Sequence, residues 1–470
     1  MVKVVGKSSP GNWKVQPFVK NKGDVGKRKI CAIGASYKFV HKVLRDMLLV
    51  GGFDNVEICL HDIAEEPLRV VGDLLEKMAR QKKTNITITR TLDRKEALTG
   101  ADIVWLCITV GGQESDMRSW EVCAKYGIPV GVGDTLGPAA LVRNIREIPV
   151  VLPIIDDMVK HCPKAVMLNF SNPMSCLTMA MARRSHIPVF GLCHSADSLF
   201  EYFGEVFHCN KSDIQMDVGG VNHQSFVTRL VVKGKDRTGE MLAASLASQA
   251  KFKDSLLTTT EEDVSLQQDV YRILGAWPSC GDSHLAEFYR FFMTPRHVHK
   301  LGHMQQSVEP GREQYGAKKP PQIILDWAYG PDPVGDLHLM TTEHAHELMW
   351  ACLTGKSFTR VLNLLNTGQY IAGLPKNCCV EAMVTVAGKK VTGKSMTLPP
   401  AVFQLVHNWA TIHELSYQAS VNFDRQAAKQ ALFLDPHVHD MYDIDPMLDD
   451  FFAALKPWMP PQWYDGSSGS

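Results

Sequence analysis

The chain has 470 residues, 45% of them hydrophobic, which is enough for two or three domains and a large buried core. Lysine plus arginine and aspartate plus glutamate number 50 each, and the pI is about 7.3. This balance excludes a strong net field for nucleic acid or an anionic membrane. The expected partner is therefore a small molecule that is recognised by local contacts.

The ends of the chain and its cysteines indicate the compartment. Residues 1–28 form a predicted N-terminal extension that lacks the apolar run of a secretory signal, and no apolar stretch is long enough to cross a bilayer. The twelve cysteines are scattered rather than spaced as a disulfide framework, so most are expected to be reduced. A cytoplasmic protein is expected, with a small polar tail over residues 459–470.

Residues 29–218 alternate short β-branched runs with helical stretches. This alternation is typical of βαβ units and predicts an α/β fold, a Rossmann-like doubly wound parallel sheet. The predicted strands are Lys29–Ile33, Val56–Leu60, Ile86–Thr89, Asp102–Ile108, Ala165–Asn169 and Val189–Cys193.

The pattern changes after the sixth predicted strand. Residues 214–234 resemble longer antiparallel strands joined by a turn, and the sequence from Gly239 onward is predicted to be mostly helical. Residues 219–458 are therefore expected to form a mixed α+β domain. Residues 304–338, rich in Gly, Pro and polar residues, are predicted to include a long surface loop or lid.

The turn after the first strand is a candidate dinucleotide site. The segment IGASYKF places Gly34 and Ser36 where a Rossmann loop passes a pyrophosphate, but a full GxGxxG is absent and an ordinary βα turn remains an alternative. Asp62 ends the second strand 28 residues past Gly34, where a carboxylate can accept both ribose hydroxyls. A helix-capping role for Asp62 is the other reading. Together these residues favour NAD over NADP.

A cysteine and a histidine form a candidate metal site. Cys193 stands at the carboxyl end of a predicted strand, and His223 follows a later strand about 30 residues on, so both side chains can point into one crevice. A thiolate and an imidazole suit Mn, Fe, Co or Ni better than Mg or Ca. From the residues alone, a buried cysteine and an unrelated loop histidine stay possible.

Several motifs are similar to those of glycoside hydrolase family 4, in the same order, from Lys29 to about Leu455. The segments that carry the resemblance are residues 100–112 (GADIVWLCITVGG), 118–127, 133–150 (GDTLGPAALVRNIREIPV), 169–173 (NFSNP), 191–195 (GLCHS), 220–223 (GVNH) and 281–292 (GDSHLAEFYRFF). The resemblance implies a fold of the lactate/malate dehydrogenase-like superfamily. It also implies NAD and Mn²⁺, or another divalent transition metal such as Fe, Co or Ni, as cofactors. Cys193 and His223 would be the metal ligands, and the protein a homodimer or homotetramer.

The resemblance implies a mechanism that begins with an oxidation. In this family a hydride passes from C3 of the bound sugar to NAD while the metal polarises the hydroxyl oxygen, and the ketone that forms acidifies the C2 proton. A base removes that proton, and the glycosidic oxygen leaves with help from an acid. Water then adds back and the hydride returns, so that NAD is recycled. Family 4 is an exception to the two-carboxylate rule of glycosidases.

The same resemblance implies roles for further residues. Asn172 and Arg118 are expected to bind substrate, and Asn169 to contact the cofactor, although Asn172 as a helix cap and Arg118 as an exposed helix residue are alternatives. His194 stands where phospho-glycosidase members have an acidic Asp, and a histidine can donate a proton near neutral pH. The base falls on His284 or Tyr289.

Other departures from the family bear on the ligand. The cysteine–histidine pair and the GDTLG stretch resemble the α-galactosidase and uronic-acid branch, so a free or uronic-acid sugar is expected. Residues 294–300 (TPRHVHK) are basic enough to receive a phosphate or carboxylate, although such a run is more often a solvated face. The glycine-rich turn of the family is reduced here to IGASY, and the bulkier Ala35 is expected to weaken NAD binding.

Two other functions fit part of the pattern. A 2-hydroxyacid dehydrogenase of the lactate/malate type shares the Rossmann half but needs no cysteine–histidine metal pair. A non-catalytic NAD-linked sugar sensor is compatible with the altered acid, base and glycine turn. The dehydrogenase consumes its cofactor stoichiometrically, and the sensor takes up no solvent deuterium at C2, whereas a family 4 glycosidase recycles NAD and exchanges the C2 proton.

Overall fold

The structure, a computed structural model, describes residues 21–465 except 22, 38, 131–132, 255–259, 263, 290–291, 293–319 and 342–343. The strands are β1 (Arg28–Ile33), β2 (Val56–His61), β3 (Thr87–Thr91), β4 (Ile103–Leu106), β5 (Val166–Asn169), β6 (Val189–Gly191), β7 (Ile214–Val221), β8 (Gln224–Val232), β9 (Lys235–Asp236), β10 (Phe252–Asp254), β11 (Thr260–Glu262), β12 (Trp277–Pro278), β13 (Phe358–Leu365), β14 (Cys379–Ala387) and β15 (Lys390–Gly393).

Helices occupy much of the remaining described chain. They are α1 (Val40–Val50), α2 (Glu65–Lys82), α3 (Arg94–Leu98), α4 (Gly112–Lys125), α5 (Gly137–His161), α6 (Met174–Arg184), α7 (Ser195–Val206), α8 (Met241–Ala247), α9 (Ser265–Leu274), α10 (Asp282–Ala286), α11 (Gln322–Tyr329), α12 (Ala345–Thr354), α13 (Pro400–Asn422), α14 (Arg425–Leu434) and α15 (Ile444–Leu455). None of these helices combines the length and the apolar character that crossing a bilayer requires. All twelve cysteines lie in the described ranges as free thiols.

The amino-terminal half is the predicted parallel sheet. Its strand order is β3-β2-β1-β4-β5-β6, the order of a dinucleotide-binding doubly wound fold, with all neighbours parallel. The six predicted strands are found, and none of their ends shifts by more than two residues. The fourth is the most shortened, from Asp102–Ile108 to Ile103–Leu106, because the chain turns out of the sheet toward the glycine pair that precedes α4.

The sheet does not stop at β6. Strand β13 pairs with β6 through Asn363 and Gly191 in antiparallel orientation, and the sheet continues as β14-β7-β8-β12, with β15 and β9 at its margins. The predicted domain boundary at 218/219 falls inside β7, so one mixed sheet crosses it. The division of the chain into two domains stays a prediction.

Most of the regular structure described after Gly239 is helical, as expected, but strands β13, β14 and β15, which the sequence analysis did not predict, also lie there. Strand β14 begins with four consecutive buried residues, so its apolar pattern does not alternate as in a half-exposed strand. Part of the predicted loop is also a helix, α11, which packs on α2. Residues 294–300 and 304–319 lie outside the described residues.

Helices from both ends of the chain cover the sheet. On one face, α13 packs on α5 and α6, and on the other α12 packs on α1 and α11 on α2. Within the predicted tail, Trp463 lies against Phe452 of α15 with ring centroids 4.8 Å apart, so residues up to 465 belong to the fold. This packing leaves the carboxyl ends of the parallel strands as the place for a ligand.

A buried histidine in α13 predicts acid sensitivity. His413 is 4% exposed, and burial lowers its pKa from 6.5 to about 4. A depressed folded-state pKa means stability that is present above the unfolded pKa and lost as the pH falls below about 6.5. Between pH 7 and pH 5 this histidine lowers the free energy of unfolding of the wild type by about 2 kcal/mol, and His413→Gln is expected to remove that loss. Urea unfolding at both pH values checks it, with the exposed His439→Gln as control. Equal losses in wild type and His413→Gln would contradict it.

Candidate active site

The sheet brings Cys193 and His223 together. Cys193 lies two residues past β6, and His223 occupies the tight turn between β7 and β8 with a positive φ of 62°. The Sγ atom of Cys193 is 3.0 Å from Nε2 of His223, although the two residues are 30 positions apart. The two candidate metal ligands therefore meet at the carboxyl edge of the parallel sheet.

The other nitrogen of His223 leads to an aspartate. Nδ1 of His223 is 3.2 Å from Oγ1 of Thr135, and that hydroxyl donates to Oδ1 of Asp134 at 2.9 Å. The second oxygen of Asp134 accepts a 2.7 Å hydrogen bond from Nδ2 of Asn172. One carboxylate thus joins the predicted metal ligand His223 to the predicted substrate residue Asn172.

An arginine and two histidines lie near Asp134. Its burial raises the pKa of the carboxyl group, but His284, Arg143 and His223 outweigh that effect, and the pKa is lowered from its usual value. The ring of His284 lies 4.3 Å from that of His223, measured between centroids. The site therefore contains a half-buried carboxylate close to two imidazoles.

A second carboxylate lies close enough to Cys193 to affect its thiol. Glu381 of β14 is fully buried; its Oε1 accepts from Nδ2 of Asn222 at 3.2 Å and of Asn363 at 3.1 Å, and its Oε2 from Oγ of Ser225 at 2.6 Å. Burial, followed by the Glu381 charge, raises the pKa of the Cys193 thiol to about 12. Without a cation this thiol keeps its proton, and a bound transition metal would remove it.

The Sγ atom of Cys193 and the Nε2 atom of His223 are 3.0 Å apart, which is a hydrogen-bond distance. Both atoms are of the kind that binds a transition metal, so these two residues would hold one together. Among the residues that the structure describes, no group of three or more His, Cys, Asp or Glu side chains is arranged to hold a metal. Among the described residues, Cys193 and His223 are therefore the candidates to hold a metal.

The candidate acid and base differ in their surroundings. His194 is buried directly before α7, next to Cys193, and His284 in α10 lies beside His223. Tyr289 is also buried, and its hydroxyl is 3.3 Å from Nε2 of Gln224. Burial raises the pKa of Tyr289, which opposes the ionised form that a tyrosine base needs. Of the two candidate bases, His284 has its ring in contact with that of His223.

The cofactor turn is closely packed. Gly34 has a φ of 92°, and a Cβ there would lie 2.1 Å from the Cys107 carbonyl oxygen. The backbone N–H of Ala35 donates to Oδ2 of Asp62 at 2.8 Å, which ties this turn to the end of β2. Ala35 is buried and belongs to the hydrophobic core, and its expected effect on NAD binding stays a prediction.

Two predicted contacts lie away from these clusters. Asn169 is fully buried, and its amide nitrogen lies near the Ser171 carbonyl oxygen, Met174 Sδ and Thr178 Oγ1, which indicates support of the NFSNP turn rather than cofactor contact. Arg118 projects from α4 with its side chain 51% exposed and pairs with Glu121 at 3.1 Å. Ser36 lies half-buried in the cofactor turn.

Two buried arginines lie instead on α5. Arg143 and Arg146 each lie 3.2 Å from an oxygen of Asp116, and Arg143 is also near Glu147. The sequence carries a signal for them that the motif comparison passed over, because they are charged residues at helical spacing in an otherwise apolar helix. Asp134, Thr135 and Glu381 were missed as well.

Comparison with known proteins identifies the family. The model described as "Family 4 glycosyl hydrolase" matches residues 29–206, and "Family 4 glycosyl hydrolase C-terminal domain" matches residues 218–438. An alpha-galactosidase of Bacillus subtilis is 29% identical over 443 residues, covering 92% of this chain and 99% of the relative. An alpha-galactosidase of Rhizobium meliloti is 25% identical, covering 92% and 89%.

A solved structure supports the same fold. The 6-phospho-beta glucosidase of Thermotoga maritima, crystallised with manganese, NAD+ and glucose-6-phosphate, matches with a TM-score of 0.75 at 19% identity, covering 92% of this chain and 99% of that one. The family models cover both halves of the sheet, so the dehydrogenase alternative is not favoured. The predicted family is confirmed: this chain belongs to glycosyl hydrolase family 4 and is a glycosidase.

Proposed function

We propose that this glycosidase depends on NAD and a divalent transition metal and that its substrate is an α-galactoside without a phosphate group. The observation that carries the proposal is the 3.0 Å contact between Cys193 Sγ and His223 Nε2 at the carboxyl edge of a dinucleotide-binding sheet. A glycosidase that works with two carboxylates needs neither a cysteine–histidine pair nor a dinucleotide-binding sheet. The names of the two relatives support galactose and the α anomer.

Each cofactor has candidate residues in this chain. Cys193 and His223 would hold the metal, and the turn at Gly34 with Asp62 would hold NAD. When bound, they supply a hydride acceptor and a Lewis acid for oxidation of the C3 hydroxyl group.

The protein's own side chains then act on the sugar. Asn172, held by Asp134, orients a sugar hydroxyl toward the metal ligands. His284, beside His223, is the candidate to take the C2 proton, and His194, beside Cys193, is the candidate to protonate the departing glycosidic oxygen. Both assignments rest on neighbourhood to the metal pair and on the chemistry of imidazole near neutral pH.

A substrate panel tests the function. Nitrophenyl α- and β-galactosides, glucosides and uronides are assayed under reducing conditions with NAD and Mn²⁺ each present or omitted. Turnover that needs both, without net NADH, and with solvent deuterium at C2 of the product, is the expected result. Stoichiometric NADH would instead indicate a dehydrogenase. No turnover but tight sugar binding would indicate a sensor.

We also propose that the protein forms a homodimer or homotetramer. The C-terminal helices expose Phe433, Met441 and Tyr442 near one another around a groove lined by residues of α13, α14 and α15. Light scattering across a concentration series tests the assembly, with Phe433→Glu expected to shift it toward the monomer. A protein that is monomeric at all concentrations would contradict the proposal.

A further inference from the structure

The donors and acceptors around Asp134 determine which ring nitrogen of His223 carries the proton. Oδ2 of Asp134 accepts a hydrogen bond from Nδ2 of Asn172, a nitrogen that can only donate. Oδ1 of Asp134 lies at hydrogen-bond distance from the Thr135 hydroxyl group. A carboxylate between two such groups accepts from both, so the single hydroxyl proton of Thr135 points to Asp134. Thr135 can then only accept from His223, whose Nδ1 lies 3.2 Å away.

We infer that Thr135 and Asp134 are positioning residues that hold His223 in the Nδ1–H tautomer and aim the lone pair of Nε2 at the metal position beside Cys193. The inference rests on the proposed function, because it assigns this Asp134–Thr135–His223 relay of hydrogen bonds to the same metal site. Histidines that bind metals commonly donate their other ring N–H to a carboxylate or carbonyl partner, and loss of that partner typically weakens metal binding 10- to 100-fold. Here a threonine hydroxyl stands between the ring and the carboxylate.

The placement of the relay supports this role. Thr135 and His223 are each about 5% exposed, so water does not readily replace the hydroxyl group as partner of Nδ1. Thr135 stands two residues before α5, whereas His223 sits in the β7–β8 turn, so the hydrogen bond also locks two separate elements across the crevice. The same Asp134 holds Asn172, and the relay therefore sets the metal ligand and the sugar-binding amide relative to one another.

The test compares Thr135→Val with Thr135→Ser. Valine keeps the volume but removes the hydroxyl, whereas serine keeps the hydroxyl. Co²⁺ is titrated into each purified protein without substrate, following the thiolate-to-cobalt absorption and the heat of binding. Thr135→Val is expected to bind Co²⁺ about 10- to 100-fold more weakly, and Thr135→Ser within about threefold of wild type. NAD affinity and the unfolding temperature check that the fold is intact.

Controls separate this inference from the proposed function. Thr89→Val removes a hydroxyl that also donates to a carboxylate, Glu57 at 2.7 Å, but on the far edge of the sheet, and is expected to leave Co²⁺ binding unchanged. Cys193→Ser is expected to lose the absorption band. If Cys193→Ser binds Co²⁺ as the wild type does, the metal site itself is refuted. If Thr135→Val binds Co²⁺ as the wild type does while Cys193→Ser does not, the relay is refuted and the metal site stands.

A second variant covers the possibility that valine prevents folding. Asp134→Asn keeps the shape of the side chain and removes its charge, so the Thr135 hydroxyl loses its strongest acceptor. It is expected to weaken Co²⁺ binding about tenfold. Wild-type Co²⁺ affinity in this variant, with Thr135→Val unfolded, overturns the relay.

Discussion

Cys193→Ser and His223→Ala are each expected to lower kcat/KM for the cleaved glycoside by at least about 10³-fold, with NAD affinity changed by less than about threefold. Lewis-acid stabilisation of developing charge is worth several kcal/mol, and each 1.36 kcal/mol is a factor of ten in rate. The two side chains lie at the β6 and β7 ends of the sheet, whereas the cofactor turn lies at β1. Steady-state kinetics with Mn²⁺ and calorimetric titration of NAD measure the two effects.

The matched control is Cys209→Ser. Cys209 is a half-buried thiol beyond the end of α7 and takes no part in the metal pair, so its substitution is expected to leave kcat/KM within about twofold. Full turnover in Cys193→Ser or His223→Ala would remove the metal assignment. A parallel loss of NAD binding would mean instead that the substitution disturbs the whole crevice.

The parallel half of the fold was accessible from sequence for a simple reason. Its strands are short β-branched or apolar runs between helices, and consecutive βα units are local in the chain. Strands β13 and β14 were not recognised, because they pair with β6 and β7 across more than 150 residues and each contains four consecutive buried residues. Local periodicity does not separate such strands from buried helix.

The site shows the same division. Cys193, His223 and Asn172 were found because they stand in short motifs that end strands or begin helices, and the structure brings all three to one crevice. Glu381 and Asp134 were not found, since their importance lies in hydrogen bonds to residues far away in the sequence. A lone glutamate in an apolar strand is nevertheless a signal, because a buried charge needs partners.

Arg118 lies where one of the two sequence-based alternatives placed it, on an exposed helix face. The motif placed an arginine on α4, but helical geometry decides which face each residue occupies, and position 118 faces solvent. Asp116, two residues earlier, points inward to Arg143 and Arg146 instead. A resemblance in residue type over one helix therefore did not preserve the direction of the side chain.

Gly34→Ala is expected to weaken NAD binding at least tenfold and to lower the unfolding temperature. The added Cβ would lie 2.1 Å from the carbonyl oxygen of Cys107. Cys107 directly follows β4, and a backbone atom cannot rotate away as a side chain can. The φ of 92° adds strain of about 1–3 kcal/mol for a residue with a side chain. The turn must therefore move, and with it the Ala35 N–H that is bound to Asp62. Calorimetric titration of NAD measures the change.

Gly100→Ala separates strain from steric overlap. Gly100 also has a positive φ, 74°, but a Cβ there meets nothing within 4 Å, and the residue lies before the amino end of β4, away from the cofactor turn. This variant is expected to lose about 1 kcal/mol of stability and to bind NAD as the wild type does. NAD affinity that falls equally in both variants would show that general destabilisation is responsible. Wild-type affinity in Gly34→Ala would mean that NAD does not approach this turn, and the cofactor proposal would then lose its site.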